Sequence, residues 1–166
     1  MNDPVKNKSD ASSTTPERRT LRFESLDEMM RDVDAWAAAG GAGYATTGNW
    51  TASQIVQHLA DTINGSIDGI PVQGEITNKI DPRMKKMILR RGLQPGFEVS
   101  EGMRAWLPKA DAELDAAVEN LRQAVARLEN EKMTAMQPYL DQLTHDEWMQ
   151  FHLRHAELHL GFVKPA

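Results

Sequence analysis

Apolar residues recur along this chain at three- and four-residue spacings, and several of these recurrences begin just after a residue able to cap a helix. Ser25-Leu26-Asp27-Glu28 reads as a capping box, in which the serine hydroxyl and the glutamate side chain each satisfy a free backbone N–H. Leu26, Met29, Val33 and Trp36 or Ala37 follow on one face, and Gly40-Gly41 ends the segment because glycine accepts the left-handed conformation that closes a last turn. Thr51-Ala52-Ser53-Gln54 is a second box, with Trp50 and Ile55 at the two positions of a hydrophobic staple. Val56, Leu59 and Ile63 carry that helix on until Gly65 or Asp68-Gly69.

The pattern is weaker over residues 70–108. Asp81-Pro82 looks like an N-cap followed by proline in the first turn, opening a short helix through Met84, Met87, Ile88 and Arg91 that stops at Gly92. Leu93 to Pro108, with Pro95-Gly96 and Gly102, reads as a loop packed down by Phe97, Met103 and Trp106. A third long helix is predicted from about Asp111 to Glu131, with Leu114, Ala117, Val118, Leu121, Val125 and Leu128 on one side. The fourth follows the capping box Thr144-His145-Asp146-Glu147 and runs to about Phe162. No stretch alternates as a strand would. The expected fold is therefore all-α, a four-helix bundle with a long, partly irregular connection between its second and third long helices. Residues 1–19, polar and nearly free of large aliphatics, read as a disordered tail ahead of one domain over 20–166.

The last helix carries unusual polar residues. On a wheel of about 100° per residue, His152, His155 and His159 fall inside a broad apolar face made by Trp148, Phe151, Leu158, Phe162 and their neighbours, while Arg154 and Glu157 fall on the polar arc. A buried imidazole costs free energy unless its nitrogens find partners. His155 and His159 have the i, i+4 spacing with which one helix offers two ligands to a metal. Hydrogen-bonded core histidines give the same spacing, so both readings stay open here. His58 lies on the second helix, at the edge of its apolar arc beside Gln54, Asp61 and Thr62, where it is either a third ligand facing a cleft or a half-exposed side chain. His152 is expected to line a pocket or support a ligand, and His145 to lie on the surface.

Composition narrows the classes. With 166 residues, 40% hydrophobic and 26% charged, the chain suits one globular domain. A net charge of −5 and a pI near 5.5 argue against nucleic-acid binding. No apolar run approaches the roughly 20 residues that span a bilayer, and Arg18-Arg19 is not followed by the apolar stretch of an export signal, so a cytoplasmic location is expected. The absence of cysteine excludes disulfides and thiolate ligands, so any thiol chemistry uses an external thiol. Arg83, Lys85, Lys86, Arg90 and Arg91 are either an anchor for an anionic cofactor or a solvated helix face.

Two segments, Asn49-Trp50-Thr51-Ala52-Ser53-Gln54-Ile55-Val56-Gln57-His58-Leu59-Ala60-Asp61 and Leu153-Arg154-His155-Ala156-Glu157-Leu158-His159-Leu160-Gly161-Phe162, resemble the DinB/YfiT-like superfamily. With Arg18-Arg19-Thr20-Leu21-Arg22-Phe23 at the other end, the chain looks like a bacterial branch of it classed as a domain of unknown function, over roughly residues 18–164. The resemblance implies a four-helix bundle holding zinc first of all, or nickel or a related ion, through His58, His155 and His159. It also implies, for some members, transferase or isomerase activity with a low-molecular-weight thiol. The long 70–108 connection and the extra His152 depart from the simplest members. The expected function is a metal-dependent enzyme, a thiol-dependent transferase or hydrolase with an open coordination position; Asp61 and Glu157 are not assigned as bases. The alternative is a non-enzymatic bundle that binds a small ligand or partner and whose histidines are structural. A homodimer is the oligomer to test, since dimers are common among small bundles.

Overall fold

Each cap read from the sequence starts a helix. The computed structural model describes residues 16–108 and 113–166. Ser25 Oγ accepts the Glu28 N–H (3.2 Å) and opens α1 (Leu26–Ala37). Its box is only half made, because the Glu28 carboxylate accepts from Glu24 N–H (2.8 Å) rather than from Ser25. Thr51 and Thr144 form complete boxes with Gln54 and Glu147 and open α2 (Ala52–Asp68) and α5 (His145–Leu160). Asp81 caps α3 (Pro82–Arg91), accepting the Arg83 N–H at 2.8 Å. The third long helix, α4 (Leu114–Arg127), is shorter than expected. Positions 111 and 112 lie outside the described residues, and beyond Arg127 the N–H groups of Leu128, Glu129 and Asn130 turn to carbonyls three residues back. Residues 1–15 of the expected tail also lie outside the described residues.

The chain is mostly helical, as expected, with short additions that the pattern did not show. Short strands exist: β1 (Tyr44–Thr46) pairs antiparallel with β4 (Val163–Pro165), and β2 (Met136–Gln137) with β3 (Asp141–Gln142). Runs of two or three residues are too short to show a period-2 pattern, and the β1–β4 partners are far apart in the chain. The Leu93–Pro108 loop also contains a 3₁₀ helix, Glu101–Trp106.

The helices pack with α2 against α4 and α5, α1 against α4 and α5, and α3 against α5. Val33, Trp36, Ile55, Val56, Ile63, Leu121 and Leu160 are all but closed to solvent in the main core. At roughly 1.5–3 kcal/mol for each large apolar side chain removed from water, this cluster is the main source of stability. A second cluster, with Leu89, Met133, Leu143, Trp148 and Phe151, lies under α3 and the 133–143 segment. Helix α5 contributes to both clusters, and every residue from 151 to 157 is buried. Arg154 (4% exposed) and Glu157 (8%) are included, against the polar arc expected for them. Their cover is the segment before α1: Glu157 Oε1 accepts the Phe23 N–H (2.7 Å), and Arg154 Nη2 donates to Phe23 O (2.7 Å) and meets Glu157 Oε1 at 3.2 Å. Upstream, Arg19 N–H donates to Gly161 O (2.7 Å) and Arg18 to Leu158 O (2.9 Å). A Cβ at Gly161 would lie 3.1 Å from Arg19 O, so glycine lets the segment approach this closely. No described helix is long and apolar enough to cross a membrane.

Candidate metal centre

The packing of α2 on α5 brings together the three histidines that the resemblance singled out. His155 Nε2 lies 3.2 Å from His58 Nε2 and 3.0 Å from His159 Nε2. One ring nitrogen from each of the three falls within 4.8 Å of the others, and no carboxylate joins the group among the described residues. The rings stand edge-on to one another, at interplanar angles of 65° to 89°. In a tetrahedral zinc site with Zn–N bonds of about 2.0–2.1 Å, neighbouring nitrogens sit about 3.3 Å apart, so this spacing fits a single small cation.

Aromatic packing orients the triad. Phe151 stacks on His155 (5.3 Å, 16°), and Trp50 stacks on His159 (4.8 Å, 14°) and meets His58 edge-on (5.0 Å). Trp50 is placed by the β1–β4 pair and by the Thr47 N–H bond to Phe162 O (3.0 Å), which hold the loop before α2 against the end of α5. A Cβ at Gly48 would come within 3.1 Å of the Phe162 ring in that contact. The sequence pattern showed Trp50 only as half of a staple; its stacking on a histidine over a hundred positions away leaves no periodic trace.

Burial keeps these imidazoles neutral. It lowers His58 to about 4, with the Trp106 main chain opposing the shift, and holds His155 and His159 well below the ordinary histidine value. The neighbouring imidazoles add to the lowering at His155 and His159. Neutral rings present lone pairs, the form that ligates a metal. The Nδ1 atom of His155 is buried without a hydrogen-bond partner. A neutral Nε2 carries either a proton or a lone pair, so His155 cannot donate to one neighbour while accepting from the other. Without a cation its single lone pair must serve both neighbours, whereas a cation would take one lone pair from each ring, and the donor set fits a divalent ion.

The remaining sequence candidates fall elsewhere. His152 is outside the triad, stacked on Trp148 (5.3 Å) with Nε2 3.1 Å from Ser66 Oγ. Ser66 Oγ donates to Ile63 O (2.6 Å), so His152 Nε2 is the donor in their contact. It is a satisfied core histidine, and burial lowers it to about 3. His145 is exposed. Glu157 is committed to Phe23 and Arg154, and burial raises its carboxyl. On α3, Arg83 pairs with Asp81 and Lys85 with Glu147. His58 opens onto a groove of about 520 Å³ between α2 and the Ala105–Pro108 segment, with Asp61 and Trp106 in its lining. None of the α3 cations lines it.

No curated protein and no solved structure matches the chain. Over residues 15–166, nearly its whole length, the sequence matches one family model, and the chain belongs to that family, described as "Protein of unknown function (DUF1569)".

Proposed function

We propose that this is a cytoplasmic metal-dependent enzyme of the DinB-like type, a four-helix bundle of α1, α2, α4 and α5 that holds one divalent ion through His58, His155 and His159. The observation that carries the reading is the convergence of three neutral imidazole Nε2 atoms from two helices, with Nε2 contacts of 3.0 and 3.2 Å and no carboxylate in the group among the described residues. Zinc is the first choice of ion, with nickel next, because imidazole suits both. A divalent ion held there supplies Lewis acidity, lowering the pKa of water or of an external thiol. The chain's own part is to hold the three lone pairs at one point, to exclude water with Trp50 and Phe151, and to admit a substrate along the groove beside His58. Thiol transfer and hydrolysis both fit that arrangement, and no side chain is assigned as a base.

One observation favours the alternative, a non-enzymatic bundle that binds a small ligand or partner. The two Nε2 separations are also hydrogen-bond lengths, so His155 as acceptor satisfies its neighbours without a metal. The test is to strip the protein with chelator, restore zinc or nickel, and assay ester hydrolysis and transfer with a low-molecular-weight thiol supplied. Turnover that needs the metal and disappears in His155→Ala is expected. Stoichiometric metal with no turnover in either class of reaction supports the alternative.

A further inference from the structure

The polar face of α2 lines an open groove, with Asp61 and Asp68 exposed to solvent along it. Gln57, His58, Asp61, Asn64 and Asp68 recur at one-, three- and four-residue steps, and all line the space of about 520 Å³ that Trp106 also lines. That volume lies within the roughly 300–1,000 Å³ of small-molecule sites. Trp106 is fixed in place, with its Nε1–H donating to Pro71 O (3.2 Å) and its ring lying where a Cβ at Gly65 would meet it at 2.8 Å.

Most of this face is already engaged. Asn64 and Asp68 both bind Arg127, at 2.7 to 2.8 Å, and Gln57 is held by Asn120 (2.8 Å) while donating to Asp61 (2.8 Å). Asp61 therefore presents a carboxylate that meets no cation among the described residues, and no described Lys or Arg lines the groove. An anion placed here would face Asp61 uncompensated. An ammonium would gain a charge-assisted hydrogen bond from it and an aromatic wall within reach.

We propose that this groove binds a small cationic ligand, an amine whose ammonium sits on Asp61 and whose carbon skeleton lies against Trp106, next to His58. Delivery to the triad rests on the metal reading above; binding in the groove does not need the metal. Benzylamine, benzyl alcohol and benzoate, three probes of one shape and different charge, are titrated into the full chain in chelator-stripped and zinc-loaded forms. The indole N–H signal of Trp106, assigned with Trp106→Phe, reports binding at the groove.

Benzylamine is expected to shift that signal saturably in both forms, benzoate to leave it unmoved, and Asp61→Asn to weaken benzylamine about tenfold with metal content unchanged. Benzoate binding as tightly as benzylamine, or an unchanged benzylamine affinity in Asp61→Asn, overturns the proposal. Amine selectivity in a protein that takes up no metal overturns the metal reading and leaves this one standing.

Discussion

At Glu157 one carboxylate ties the segment before α1 to α5: Phe23 N–H and Arg154 share its Oε1, and Arg22 lies 3.8 Å from Oε2. Truncating it leaves Arg154, whose Nε and Nη1 already lack partners, as an uncompensated buried charge. Glu157→Ala is expected to cost about 3–5 kcal/mol in chemical denaturation, whereas a loss below about 1 kcal/mol would mean the pair is solvated. Its burial was not legible in the sequence, because the cover comes from a backbone segment more than a hundred positions away. His155 and His159 were legible, since their i, i+4 spacing inside an apolar face is local. His58 was legible only through the resemblance.

His152 contributes to the pH dependence beside the three triad imidazoles. Its folded-state pKa of about 3 lies below the ordinary histidine value of about 6.5, so between these values the unfolded chain binds a proton that the folded chain refuses. Its contribution is complete above about pH 6.5 and falls by about 1.4 kcal/mol for each pH unit below it. In chelator-treated protein, His152→Gln is expected to flatten the stability–pH slope by about that amount between about pH 4 and 6; an unchanged slope contradicts a neutral buried His152.

Among the elements, caps were the best guide, because a capping box is a contact between residues three apart. Thr144→Ala removes the side-chain half of the box at the start of α5, the Oγ1 that accepts the Glu147 N–H, and is expected to cost about 1 kcal/mol, measured as a shift in denaturation midpoint. The strands and the end of α4 were not legible, since pairings such as Thr46 with Val163 and the tightening after Arg127 depend on tertiary placement. Gly65 separates local propensity from packing. At an open helical position Gly→Ala gains up to about 1 kcal/mol, but here the new Cβ meets Trp106 at 2.8 Å and Ile70 at 2.9 Å. Gly65→Ala is therefore expected to give a net loss of about 1–3 kcal/mol with altered tryptophan fluorescence, and a net gain would show that Trp106 moves freely.

For the whole molecule, the role of the triad is the central claim. Helices α2 and α5 each supply histidines of the triad, so an ion bound there would tie together two elements that carry the core. An ion that binds only the folded chain, present at about a hundred times its Kd, adds about 2.7 kcal/mol, or about 5–10 °C in Tm for a protein of this size. The most direct measurement is the metal content of protein purified without chelator, wild type beside His58→Ala, followed by zinc and nickel titration with Tm as readout. One divalent ion per chain in the wild type, its loss in His58→Ala and a rise in Tm confined to the wild type are expected. No stoichiometric metal, and neither binding nor a Tm rise on adding zinc or nickel, would contradict the metal site outright.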